Sequence, residues 1–208
     1  HHRAARADRG IVAQPFGIRG NGAEAGEEQV KSYCIREDYE SRTEAETYVD
    51  DPNEYWNEQR IFSSGIFQYY VYKKAADLAG KIENCSLIDI GCGYPTKTHE
   101  LISPVVKNIT LLDQPSMQGL LEEEFPDMKF LPLNLAVTDQ APKAKFDCVI
   151  CSDVIEHLLE PDLLLALIRE LLAPNGIAVI STPERNILRG PNCLRSPNAK
   201  HVREWNKA

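Results

Sequence analysis

The run Leu87-Ile88-Asp89-Ile90-Gly91-Cys92-Gly93-Tyr94 holds a short apolar stretch, an acid near its end and two glycines one residue apart. It reads as a buried β-strand that delivers a tight turn, free of side chains, at its C-terminal end. Glycine there lets the backbone bend sharply and a ligand come close. Asp89 stands at the strand tip, where ligands bind in open α/β sheets.

Outward from this strand the pattern alternates. Upstream, Ile66, Phe67, Tyr70, Val71, Ala75 and Leu78 fall at helical spacing, which predicts a helix over 63–79 stopped by Gly80. Downstream, the pattern predicts a helix over 96–103 with Leu101 and Ile102 inward, ended by Pro104. A second strand over 109–113 again closes on an acid, Asp113. A helix over 116–125 and a strand over 128–133 follow, then a fourth strand over 146–152. An apolar helix over 162–173 starts after Pro161, a good first-turn residue. Pro174-Asn175-Gly176 reads as a turn before a fifth strand over 177–181. Strands alternating with helices imply an α/β fold: a Rossmann-like, doubly wound, mostly parallel sheet with helices on both faces.

Composition narrows the class. The chain has 208 residues, 43% hydrophobic and 26% charged, ordinary for a soluble globular protein with one sizeable core. No run approaches a membrane span, so no membrane partner is expected. The net charge of −8 argues against nucleic acid as a partner. Residues 21–60 hold 12 acids against 4 bases, and 184–208 hold 6 bases against 2 acids. The basic segment is either a solvated surface or a means of steering an anionic substrate. Residues 1–30 read as a flexible leader or tag remnant. Residues 31–62, with Tyr33, Tyr39, Tyr48, Tyr55 and Trp56, read as a helical appendage that either packs or covers the site as a lid. Residues 63–208 make the main domain.

Six cysteines include Cys148 and Cys151. In a strand these point to opposite faces, so they cannot share a metal, and no second pair completes a site. No metal is expected, and buried free thiols fit a reducing, cytoplasmic setting.

The strand tips define the candidate site. An acid at Asp113 can accept two hydrogen bonds from ribose hydroxyls. The third position of a nicotinamide fingerprint is Thr96 rather than glycine, and no phosphate-binding loop is present. The ligand is read as a nucleoside without phosphates.

On these residues the chain resembles class I S-adenosylmethionine-dependent methyltransferases. The likeness runs through Leu87–Gly93, Leu112-Asp113, Phe146–Leu158 and Leu172–Pro183, and covers about residues 65–185. It implies that Asp89, Gly91, Cys92 and Gly93 border the methionine part of the cofactor and that Asp113 holds the ribose. It implies that Gln114 and Asn134 border the adenine, that Leu135 is a further cofactor-binding residue beside them and that Ser152 lies near the sulfonium. Pro95 departs from the family's third glycine. The family fold continues past the fifth strand, so the domain is expected to be C-terminally incomplete.

Methyl transfer to a hydroxyl needs a base, and His157 and His201 are the candidates. The alternative for His157, with Glu156, is a cap that orients the loop. Arg185, Arg189 and Arg203 either bind an anionic group on the acceptor or are solvated. The leading reading is a methyltransferase, most simply an O-methyltransferase, that acts on a small molecule or glycan with S-adenosylmethionine as cofactor. The alternatives are a non-catalytic cofactor-binding module and a nicotinamide oxidoreductase.

Overall fold

Five parallel strands form the sheet at the centre of the chain: β1 Ser86–Ile90, β2 Asn108–Asp113, β3 Lys129–Pro132, β4 Phe146–Ser152 and β5 Leu172–Ser181. Their order across the sheet is β3-β2-β1-β4-β5. A computed structural model describes residues 35, 38–45, 49–135 and 142–206, all within the unit Ser32–Ala208. The expected leader over 1–30, and Tyr33 and Tyr48 of the expected appendage, lie outside the described residues.

The registers are regular where both strands are apolar. Leu87 pairs with Ile109 and with Cys148, and Ile90 with Leu112 and Cys151. Period-two alternation then sorts side chains to the two faces. Leu87, Leu111, Cys148 and Ile150 face one cluster, and Ile88, Ile90, Leu112, Val149 and Cys151 the other. Cys148 and Cys151 are thus on opposite faces, and both are free thiols. Burial pushes the Cys148 thiol up to about 12, which keeps it protonated and inert.

Helices close both faces. On the first lies α3, Tyr69–Ala79, with Tyr72, Ala75 and Ala79 buried. Beside it are a wide-turn helical segment, Thr98–Ile102, and the helix Gln118–Glu124, here α4. On the second lies α5, Pro161–Leu171, whose Leu164, Leu167, Ile168 and Leu171 are buried at i, i+3, i+4 and i+7. Each such side chain contributes about 1.5–3 kcal/mol of burial. Ahead of α3 come α1, Pro52–Tyr55, capped by Asp51, and α2, Glu58–Phe67, capped by Asn57. The short α6, Arg185–Arg189, follows β5.

Two expectations are corrected. The helix over 63–79 is two helices, broken at Gln68, whose φ of −109° and ψ of 6° leave the helical region. Its expected inward face is also partly wrong: Ile66 and Tyr70 are 60% and 65% exposed, and Tyr72 is buried instead. The cause is polar, because the Tyr72 hydroxyl reaches a buried carboxylate described below. The Pro174–Gly176 turn, in turn, lies inside β5 rather than before it. Asn175 takes a φ of +66°, and between Phe146↔Leu172 and Cys148↔Ile177 the register slips. The chain bulges there without leaving the ladder.

Strand order reverses between β1 and β4, since the chain winds outward to β3 on one side and β5 on the other. That crevice, at the strands' carboxyl ends, is where such sheets bind ligands.

Candidate active site

The β1 tip opens into the glycine turn. Gly91 and Gly93 have φ values of +67° and +55°, a region that other residues enter at a cost. Space adds a second demand. A Cβ on Gly91 would stand 2.5 Å from Val154 Cγ2, and one on Gly93 2.5 Å from Trp56 Cζ2. The N–H groups of Gly91 and Cys92 both donate to the Leu112 carbonyl, at 2.8 and 3.3 Å, which ties the turn to β2. The Cys92 side chain is buried under it. Pro95 immediately precedes the helical turn that leads to Thr98–Ile102, and His99 N–H donates to its carbonyl at 2.9 Å. Proline suits a helix entry, so the loop gives way to helix directly after it.

Asp113, at the β2 tip, faces this turn. Its Oδ2 accepts from Gly93 N–H and its Oδ1 from Gln114 N–H, both at 2.7 Å. Burial raises its pKa, and these two bonds act against that shift. They also fix the carboxylate's plane. The Cys92 thiol is a third donor that acts the same way, and Asp113 as a whole is half-buried, with acceptor capacity left on its oxygens. An acid so held suits a vicinal diol.

Asp89 has a different environment. It is fully buried, accepting from the Tyr72 hydroxyl at 3.1 Å to each oxygen and from the Thr98 hydroxyl. Burial raises it to about 6, although Thr98, Lys97 and Tyr72 oppose the shift. Lys97, itself buried, lies over the Tyr72 ring at 5.1 Å. Asp89 therefore fastens the first helical turns to β1 beneath the glycine loop.

The remaining expected cofactor residues are spread along the crevice. The Gln114 side-chain oxygen accepts from Val49 N–H at 3.1 Å. Asn134 is exposed, and Leu135 packs partly on the second core cluster. Ser152 is buried, with its hydroxyl 2.8 Å from that of Ser181. Gln68, at the α2–α3 break, donates to the Ser152 carbonyl and to Asp153 Oδ2 at 3.4 and 3.2 Å. Asp153 itself has a φ of +54°. Strained backbone of this kind clusters at functional positions.

His157 and His201 meet. Their rings are edge to face, centroids 4.8 Å apart. The short helical turn Ile155–His157 carries the first. The second arrives on the chain after α6, because Val202 N–H and Arg203 N–H donate to the Glu156 carbonyl at 2.8 and 3.3 Å. His157 Nδ1 lies 2.9 Å from the Lys200 carbonyl, which can only accept, so this nitrogen carries the proton. His201 Nδ1 lies 2.7 Å from Glu204 Oε1. Both rings are thus set to leave Nε2 with its lone pair. Burial lowers the His157 pKa, which favours the neutral form that can act as a base.

Beneath them Glu156 is fully buried. Its Oε2 accepts from the Thr182 hydroxyl at 3.1 Å, whereas its Oε1 has no hydrogen-bond partner. Burial pushes its pKa well up. For Glu204, burial acts upward too, but bonds from His201, Ser196 and Arg189 overcome it and hold the acid at about 2.

Of the three arginines, Arg189 pairs with Glu204 at 3.3 Å and Arg203 donates to the Leu159 carbonyl at 2.7 Å. Arg185 is fully buried, with its guanidinium 4.8 Å from the Tyr39 ring centre. None of the three is simply solvated. Trp56 belongs to the appendage read from sequence as packing or as a lid, whereas Tyr72 and Gln68 were missed as parts of this site. Their signal was weak: single polar or aromatic residues outside the strand tips.

A methyltransferase-domain family model matches residues 40–207. The chain belongs to the methyltransferase-domain family. Among curated relatives, a ubiquinone biosynthesis O-methyltransferase of Pasteurella multocida is 24% identical over 131 residues, 57% of this chain and 52% of that protein. One of Bradyrhizobium diazoefficiens is 29% identical over 133 residues, 58% and 51% of the two chains. The chain spans about half the length of these two relatives. Among solved structures, the N-methyltransferase NodS of Bradyrhizobium japonicum, in complex with S-adenosylhomocysteine, is similar with a TM-score of 0.53 and 18% identity. That match covers 64% of this chain and 72% of NodS. CalS10 of Micromonospora echinaspora, an amino pentose methyltransferase bound to S-adenosylmethionine, gives 0.51 and 21%, over 67% and 59%. These likenesses show the fold: the methyltransferase domain has a Rossmann-like α/β sheet with helices on both faces. Among the described residues, no helix is long and apolar enough to cross a membrane.

Proposed function

We propose that this methyltransferase domain transfers a methyl group from S-adenosylmethionine to a hydroxyl of a small-molecule or glycan acceptor. The observation that carries the reading is the Asp113 carboxylate, held by Gly93 and Gln114 N–H groups beside the glycine turn where strand order reverses. A nucleoside diol fits there, and the turn offers backbone to the rest of the ligand without side chains in the way. Bound S-adenosylmethionine supplies a methyl group on a positively charged sulfur, open to displacement.

The chain's own part is positioning and proton removal. His157 and His201 sit past the β4 tip on the acceptor side, each keeping an Nε2 lone pair. An imidazole takes the hydroxyl proton as the acceptor oxygen bonds to the methyl carbon. Bound S-adenosylmethionine would supply the methyl group and keep the electron pair of the broken carbon–sulfur bond, which would leave a methyl ether and a neutral thioether. Residues 49–68 serve as a lid in this reading. Val49 bonds Gln114, Trp56 packs on Gly93 and Gln68 bonds Ser152, so three strand tips are covered by one segment. Excluding water there strengthens the charge interactions of the site. The two curated relatives, O-methyltransferases of ubiquinone biosynthesis, support an oxygen acceptor.

The test is calorimetric titration of S-adenosylmethionine and S-adenosylhomocysteine into the chain and its Asp113→Ala variant. Micromolar binding that weakens about a hundredfold in the variant is expected, the loss of two charge-assisted hydrogen bonds. Equal binding by both proteins would overturn the ribose assignment. No binding by the folded wild type would overturn the function.

A further inference from the structure

We infer that Glu156, His157 and His201 form a divalent transition-metal site on the acceptor side of the crevice. One donor atom from each of the three lies within 4.8 Å of the others. Three features make this more than proximity. Both imidazoles are held through Nδ1, one by the Lys200 carbonyl and one by the Glu204 carboxylate. That is how proteins orient histidines toward a metal, with the second nitrogen left to bind. Glu156 Oε1 is buried and has no hydrogen-bond partner, although its other oxygen is satisfied by Thr182. A buried carboxylate oxygen without a donor is costly, and a cation removes the cost. The backbone bonds from Val202 and Arg203 to Glu156 hold the two histidine segments together, so the cluster does not depend on chance rotamers.

The donor set selects the ion. Two imidazoles and one carboxylate suit Zn²⁺, Mn²⁺, Fe²⁺ or Co²⁺ better than Mg²⁺ or Ca²⁺, which prefer all-oxygen shells. With bonds of about 2.1 Å, tetrahedral donors stand about 3.4 Å apart. Loading therefore draws the three groups together by up to about 1.4 Å. His157 is only half-buried, so the site opens on its side. An acceptor hydroxyl bound there loses its proton more readily, because the cation stabilises the oxygen anion. With His157 and His201 held as ligands, the hydroxyl proton leaves to solvent water through this open side, and the imidazole base described above belongs to the metal-free chain. This consequence rests on the methyltransferase reading; the site itself does not.

The experiment titrates CoCl₂ into metal-stripped full chain and follows the d–d absorption. One equivalent is expected, with no thiolate charge-transfer band. Affinity should fall at least tenfold in Glu156→Gln and in His157→Ala, and stay unchanged when His1 and His2 are both alanine. A thiolate band, no saturable binding, or binding that survives both site variants would overturn the proposal. Should the variants unfold by circular dichroism, the native spectrum still decides between these residues and the cysteines. S-adenosylmethionine binding is measured on the same samples. Cobalt binding without it would sink the methyltransferase reading and leave the metal site standing.

Discussion

Two aspartates at neighbouring strand tips look alike in sequence and differ in the fold. Asp113 is half-buried and bonded by backbone N–H groups, which leaves capacity for a ligand. Asp89 is sealed and bonded by Tyr72 and Thr98. Its acidity has a measurable consequence. In the unfolded chain the group titrates at its ordinary 3.8, and in the fold at about 6. Below 3.8 both states hold the proton. Between these values the folded state keeps the proton that the unfolded state has lost, so stability falls as pH rises. The change is on the order of 3 kcal/mol and is complete above pH 6. Melting temperature against pH should show this decline between pH 4 and 6, and Asp89→Asn should remove it. A variant that keeps the same slope would place the titration elsewhere. The acids at the tips were legible because an apolar run points to them. The pairing of His157 with His201 was not. Those residues lie 44 apart, and nothing local tells that Val202 and Arg203 will bond the Glu156 carbonyl.

At the scale of elements, legibility followed burial. β4 matched its expected bounds because both of its faces are covered and its run is unbroken. The 63–79 helix failed because apolar residues there are not all buried. Phe62, Ile66, Phe67 and Tyr70 remain largely exposed, so their spacing carried no information about a core. The glycine turn is the element whose demands are sharpest. Alanine at Gly93 would meet two costs: a left-handed φ, about 1–2 kcal/mol, and contact with the Trp56 ring at 2.5 and 2.8 Å. Only the first persists once the indole is gone. Gly93→Ala should thus destabilise the wild type more than it destabilises Trp56→Ala, by about 1 kcal/mol in a double-mutant cycle followed by denaturant unfolding. Additive effects would mean that Trp56 swings away freely and does not hold the turn.

Across the whole molecule, residues distant in sequence clamp the stretch that carries His201. Glu40 N–H donates to the Leu194 carbonyl and Arg42 N–H to that of Val202, at 2.7 and 2.8 Å. The Tyr39 hydroxyl accepts from the N–H groups of Ser196 and Glu204. The Arg42 guanidinium donates to the carbonyls of His201, Ser196 and Asn198 at 3.2, 3.1 and 3.4 Å. The stretch over 190–204 has no regular secondary structure of its own, so its backbone carbonyls depend on such donors. Its fixed shape is what brings His201 to His157. Arg42→Ala should therefore loosen this stretch without unfolding the sheet, at a cost of about 1–3 kcal/mol. Trypsin should then cut faster at Arg195, Lys200 and Arg203, while the strand-tip residues stay protected from hydrogen exchange. Methyl transfer should fall about ten- to a hundredfold through misplacement of His201, with S-adenosylmethionine affinity unchanged, because Asp113 and the glycine turn lie on the other side of the crevice. Lysine at position 42 should restore little, since one ammonium cannot span three carbonyls set for a planar fork. Loss of cofactor affinity in Arg42→Ala would show instead that the clamp supports the sheet tips as a whole, and that acceptor and cofactor sides are not separable in this chain.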